Sequence, residues 1–116
     1  MGEISKVELQ SIISSGQPFT IIDVRTLSEF QRGTIDGAKH IELTNLREAF
    51  NTLTEEEFKR NYGFDRPKKN SEFYTLCRSG IRSAKARDEL LDLGWKPISI
   101  KGGFMDWNAS SYCVLS

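Results

Sequence analysis

The 116 residues predict an α/β domain with a mostly parallel central sheet and helices on both faces. Three observations carry this reading. Phe19-Thr20-Ile21-Ile22-Asp23-Val24 is a short, nearly continuous β-branched and aromatic run, the pattern of a strand buried on both faces. Phe73-Tyr74-Thr75-Leu76 and Pro97-Ile98-Ser99-Ile100 are two further strand candidates. Segments of helical periodicity alternate with these runs at short intervals, which requires crossover connections and therefore parallel strands.

In chain order, Ser5 with Glu8 three places on opens an amphipathic helix through Val7, Leu9, Ile12 and Ile13, ended by Gly16. After the strand over 19–24, a short helix is predicted from Leu27 to Gln31, closed by Gly33, and Gly37-Ala38-Lys39-His40-Ile41 leads into a brief strand. Asn45 to about Tyr62 reads as helix in two pieces, with Thr54-Glu55-Glu56-Glu57 supplying a fresh N-cap and an acidic first turn. Gly63 to Ser71 is a loop. Beyond the strand over 73–76, Ile81 to Leu93 is the best helix in the chain, with Gly94 as its stop. Gly102-Gly103 after the last strand turns into a short helix around Phe104 to Trp107.

Length allows one domain, expected over 1–116 with a core at about 4–108 and a polar tail at 109–116. Sixteen Lys and Arg balance sixteen Asp and Glu, so no global field draws the chain to nucleic acid or to an anionic membrane. No apolar run approaches the roughly 18 residues of a bilayer span, and the first residues carry no basic segment followed by an apolar one. Two cysteines are too few for a disulfide scaffold. The expectation is a cytoplasmic protein in a reducing compartment. Lys6 stands where a myristoylation motif wants Ser or Thr, and Asn108-Ala109-Ser110 is read as a chance glycosylation triplet.

Cys77 closes the strand over 73–76, and in parallel sheets ligands collect just beyond the carboxyl ends of the strands. Between it and the next helix lies Cys77-Arg78-Ser79-Gly80-Ile81-Arg82, whose backbone N–H groups can curl into a nest around the sulfur. Gly80 permits backbone angles that a side chain forbids, while Arg78 and Arg82 add two full charges. An ordinary cysteine is only a few per cent thiolate at neutral pH, and a helix N-terminus with cationic neighbours raises that fraction. Cys77 is therefore the candidate nucleophile, and Arg78, Ser79, Gly80, Ile81 and Arg82 are the candidate substrate-binding residues. The competing reading of Cys77 as a small buried hydrophobe does not explain the glycine and arginines around it.

Four motifs occur in one order: Ile22-Asp23-Val24-Arg25 with Glu29-Phe30, then Gly33-Thr34-Ile35-Asp36-Gly37-Ala38, then the loop from Cys77 to Ser83, then Gly102-Gly103 with Trp107. In these the chain resembles the rhodanese family, in particular its short single-domain members, over about Ile4 to Asn108. The resemblance implies a sulfurtransferase without cofactor. The Cys77 thiolate takes the outer sulfur of a donor such as thiosulfate as a persulfide and passes it to cyanide, a thiol or a protein acceptor. An arginine after the cysteine resembles thiosulfate-using members, and Ser79-Gly80 resembles mercaptopyruvate-using ones; thiosulfate is the expected donor. The alternatives are a persulfide carrier serving a protein partner, a phosphatase or arsenate reductase, and a non-catalytic regulatory module. Phosphatases that resemble this fold have one residue more between cysteine and arginine than the four enclosed by Cys77 and Arg82.

Asp23 and Arg25 fall at the same sheet edge and are supporting candidates. Asp23 either fixes the cysteine loop or is a turn carboxylate, with Arg25 paired to Glu29; the structural role is preferred. His40 is the only histidine and is assigned no catalytic role, and one His with two scattered Cys makes no zinc site. Trp95 and Trp107 are expected to pack, Cys113 to be a tail thiol, and Lys85, Arg87 and Lys101 to be solvated surface.

Overall fold

The computed structural model describes residues 2–107. Its elements are β1 (Glu3–Ile4), α1 (Lys6–Ser14), β2 (Ile21–Asp23), α2 (Leu27–Gln31), β3 (Lys39–His40), α3 (Glu55–Tyr62), β4 (Glu72–Leu76), α4 (Ile81–Asp92) and β5 (Lys96–Ile100), with residues 103–107 helical after them. The five strands form one sheet in the order β1-β5-β4-β2-β3, and every pair is parallel. The expected α/β architecture is the one observed.

Strand alternation divides the core into two clusters. Ile22, Phe73 and Cys77 join Phe50, Phe58, Ala86, Leu90 and Trp95 in one. Ile21, Tyr74 and Leu76 join Leu9, Ile35 and Ile100 in the other, with Phe104 and Trp107 against them. Neighbouring strand residues thus serve different clusters, as a sheet covered on both faces requires. The cysteine lies in the cluster of α3 and α4. Both tryptophans pack, as expected.

Three helices begin with a capping box: Ser5 with Glu8, Thr26 with Glu29, and Thr54 with Glu57. The cap hydrogen bonds hold the carboxyls of Glu8 and Glu57 below their ordinary range. The segment over 45–62 breaks into pieces as expected, but its first part is not ordinary helix. A 3-10 turn at Leu43–Asn45 passes into a π-helix at Glu48–Thr52, and the carbonyls of Ala49 and of the C-cap residue Leu53 accept from the Arg66 guanidinium at 3.0 and 2.7 Å.

Sequence periodicity missed β1. Two residues make no pattern, and the strand exists because β5 offers it a ladder: Ser99 N–H donates to the Gly2 carbonyl and Lys101 N–H to that of Ile4. The same alternation explains Pro97 inside a strand with neighbours on both sides. Its missing N–H falls on the β1 side of β5, one step before β1 begins, so no ladder bond is lost. No helix among the described residues is long and apolar enough to cross a membrane.

Candidate active site

Cys77 follows β4 at its carboxyl end, and the next three residues form the loop that starts α4. Gly80 is the N-cap of that helix at φ 105°, a left-handed angle that a side chain would strain. This turn brings the Gly80 N–H to 3.0 Å from the Cys77 sulfur. Cys77 is 1% exposed, and its sulfur lies 3.4 Å from the Ser83 hydroxyl in the first turn of α4. Of the amides expected to converge on the sulfur, the one from Gly80 makes a hydrogen bond to it.

The outward side of the loop is clamped by the segment after β5. Phe104 N–H donates to the Cys77 carbonyl at 2.7 Å and Met105 N–H to that of Arg78 at 2.8 Å. The first donors of the helix over 103–107, which have no partner within their own helix, are satisfied by the loop. Gly103 makes this approach possible: at φ 60° it has no room for a Cβ, which would sit 2.6 Å from the Arg78 carbonyl oxygen and collide with that of Cys77. Gly102-Gly103, read from sequence as a turn and as part of the fourth motif, is the surface on which the cysteine loop rests.

The two arginines of the loop have different environments. Arg78 is exposed and forms no ion pair among the described residues. Arg82 is held by Glu29 of α2 through two bonds, 2.7 Å from Nη1 and 3.0 Å from Nη2. Ser79 and Ile81 are exposed, Ile81 to 78%. Among the described residues, Arg78 is thus the loop arginine whose guanidinium forms no ion pair.

The expected pairing of Arg25 with Glu29 is not formed. Arg25 instead pairs with Asp23, 2.7 Å from Nη2 to Oδ2, and Asp23 also accepts from the Arg25 backbone N–H and from the Thr34 hydroxyl. The reason is proximity: two residues apart at the end of β2, the side chains meet while both are buried. Arg25 further donates to the Gly33 carbonyl at 2.6 Å and lies over the Phe104 ring, 4.8 Å from its centroid. Asp23 makes no direct bond to the cysteine loop. The pair supports the residue that clamps that loop, which gives both supporting candidates a structural place.

Glu29, expected from sequence as the partner of Arg25, serves Thr26 and Arg82 instead. It completes the α2 cap with Thr26, and its carboxylate crosses to α4, where the Arg82 hydrogen bonds bring its pKa down to about 2 from an ordinary 4.5. Bonding to Glu29 raises that of Arg82. Because the folded value of Glu29 is depressed, its contribution to stability is complete above about pH 4.5 and is lost as pH falls through about 2. Glu29→Gln keeps the cap and removes the charge. Its melting temperature should lie below that of the parent at pH 6, with the gap closing from pH 4.5 toward 2; a gap that stays constant across that window would contradict the assignment.

The remaining candidates among the described residues form no hydrogen bond with the sulfur. His40 Nε2–H donates to the Arg25 carbonyl at 2.8 Å and its ring stacks on Phe30, so the histidine braces the β2 end. Arg87 donates to Asp88 and to the Gly2 carbonyl, and Lys85 and Lys101 are exposed. Cys113 and Asn108-Ala109-Ser110 lie outside the described residues.

A family model described as rhodanese-like domain matches residues 5–110. A mitochondrial protein of Schizosaccharomyces pombe, provisionally named a thiosulfate sulfurtransferase, is 37% identical over 89 residues, which are 76% of this chain and 62% of that protein. A human thiosulfate:glutathione sulfurtransferase is 29% identical over 106 residues, 90% of each chain. The solved structure of the human single-domain sulfurtransferase TSTD1 superposes with a TM-score of 0.88 at 28% identity, covering 94% of this chain and 96% of that one.

Proposed function

The chain belongs to the rhodanese family of sulfurtransferases, and from that premise we propose that it moves a sulfane sulfur from an anionic donor such as thiosulfate to a thiophilic acceptor through a persulfide on Cys77. The observation that carries this reading is the Gly80 N–H aimed at the buried Cys77 sulfur from 3.0 Å. A donor fixed at that position stabilises negative charge on sulfur without having to reorganise as the charge develops.

In the first step the Cys77 thiolate attacks the outer sulfur of thiosulfate. An S–S bond to Cys77 forms, the bond between the two donor sulfurs breaks, and its electron pair leaves with sulfite. Cys77 then carries one extra, anionic sulfur. Cyanide or a thiolate attacks that outer sulfur in the second step, and the electron pair of the Cys77 S–S bond returns to Cys77 as thiolate. Arg78, exposed beside the cysteine and without an ion pair among the described residues, is the group that receives the donor's sulfonate. Ser79, Gly80 and Ile81 line the turn through which the donor enters, and Arg82 reinforces the positive end of α4 from its bond to Glu29. The chemistry needs a reduced cysteine, hence a reducing compartment, for which the cytoplasm is the reading that composition supports.

The same loop fits phosphoryl transfer less well. A phosphoryl group brings three further oxygens that each need donors. Cys77 and Arg82 enclose four residues, and two of Arg82's nitrogens already serve Glu29. A purely regulatory role leaves the buried, hydrogen-bonded thiol without a use.

Two half-reactions sharing one covalent intermediate predict ping-pong kinetics. Initial rates over a grid of thiosulfate and cyanide concentrations should give parallel double-reciprocal lines; lines that intersect would show that both substrates must be bound together.

A further inference from the structure

Behind the cysteine lies a pair of buried hydroxyls that the two half-reactions above do not use. Ser83 Oγ is 3.4 Å from the Cys77 sulfur, 3.2 Å from the Gly80 carbonyl and 2.9 Å from Ser99 Oγ. Neither serine is exposed. Ser99 stands on β5 opposite Thr75 of β4, and the Thr75 hydroxyl donates to the Ser83 carbonyl at 2.9 Å, fixing the first turn of α4 to the sheet. A hydroxyl buried in the middle of a parallel strand costs free energy unless it is paired, and a partner for that of Ser99 is Ser83.

Counting protons orients the network. Ser83 has one hydroxyl proton and three neighbours. The Gly80 carbonyl can only accept. When Cys77 is a thiol, its S–H can donate to Ser83 Oγ while the Ser83 proton points at Gly80. When Cys77 is a thiolate it can only accept, and the Ser83 proton must turn from the carbonyl to the sulfur for that contact to be favourable. In both states Ser83 Oγ keeps a lone pair for a donor, and Ser99 is placed to be that donor. A hydroxyl that accepts one hydrogen bond donates a stronger one.

We propose that Ser99 is a positioning residue for the Cys77 sulfur: its hydroxyl donates to Ser83 Oγ, so that Ser83 becomes a second fixed hydrogen-bond donor to the thiolate, on the side opposite solvent. The inference rests on Cys77 being the reactive thiol, and it assigns to a strand residue 22 positions away a part in setting how readily that thiol ionises. The charged groups of the site, Arg78, Arg82, Glu29, Asp23 and Arg25, are left in place by the variants that test it.

The test is alkylation of Cys77 by iodoacetamide as a function of pH, in a Cys113→Ser background so that one thiol reports. Ser83→Ala should move the midpoint of the rate profile upward by about one pH unit, the scale of a lost hydrogen bond to a charged group. Ser99→Ala should move it in the same direction by less, and adding Ser99→Ala to Ser83→Ala should move it no further, because Ser99 acts through Ser83. Thermal melting of each variant separates this from a packing effect. A Ser99→Ala protein that melts lower but keeps the parent's midpoint overturns the proposal, and so does a Ser99 shift that persists undiminished without Ser83. Alkylation needs no sulfur donor, so the outcome is separate from failure of the sulfur-transfer reading, which would show as normal alkylation with no transfer.

Discussion

Cys77→Ser abolishes transfer of sulfur from thiosulfate to cyanide, a loss of at least about a thousandfold, while Cys113→Ser retains nearly all of it. The asymmetry follows from the surroundings of Cys77. Its sulfur has an amide donor at 3.0 Å, a hydroxyl at 3.4 Å and the start of a twelve-residue helix behind it. Serine in its place keeps the hydrogen bonds but is not ionised near neutral pH and cannot hold a transferable sulfur. The thiocyanate formed per minute by equal amounts of the two variants is the measurement. Comparable losses in both would mean that the sulfur passes through two cysteines.

Arg78→Ala lowers kcat/KM for thiosulfate by about one to two decades, the equivalent of roughly 1.5 to 3 kcal/mol for a hydrogen bond to a charged group. Arg78 is the loop cation with no ion pair among the described residues, so its removal costs binding of the donor without breaking an internal contact. Its carbonyl remains to accept from Met105 N–H. The loss should be smaller with an uncharged sulfane donor, because the sulfonate that Arg78 meets is then absent. Unchanged kinetics with thiosulfate would remove Arg78 from the site. Arg82→Ala is a different experiment: it also frees the Glu29 carboxylate, so lower stability accompanies any loss of rate.

What could be read from sequence was what local patterns encode. The cysteine loop was legible because strand end, glycine and helix start are consecutive, and α2 appeared with the bounds Leu27–Gln31 that its periodicity and closing Gly33 suggested. Partnerships across the sheet were not. Glu29 and Arg82 are 53 positions apart and meet only after α2 and α4 are both in place. Arg25 offered two carboxylates, and only the folded β2 end shows that Asp23 takes it. Gly103 stands in a turn and in a motif, but the contact that requires a glycine there, with the carbonyls of Cys77 and Arg78, exists only in the folded chain. Ser99 carried no signal of its own, although a serine between Ile98 and Ile100 in a buried strand is the kind of polar exception whose partner is worth finding.

The intermediate itself is the most direct test of the account. The reduced protein, incubated with thiosulfate, freed of it by gel filtration and weighed intact, should gain the mass of one sulfur atom, and cyanide should remove that mass with release of one equivalent of thiocyanate. The gain should be absent in Cys77→Ser and undiminished in Cys113→Ser. A protein that turns over thiosulfate and cyanide yet never carries the added sulfur, or carries it equally well without Cys77, would contradict a persulfide on Cys77.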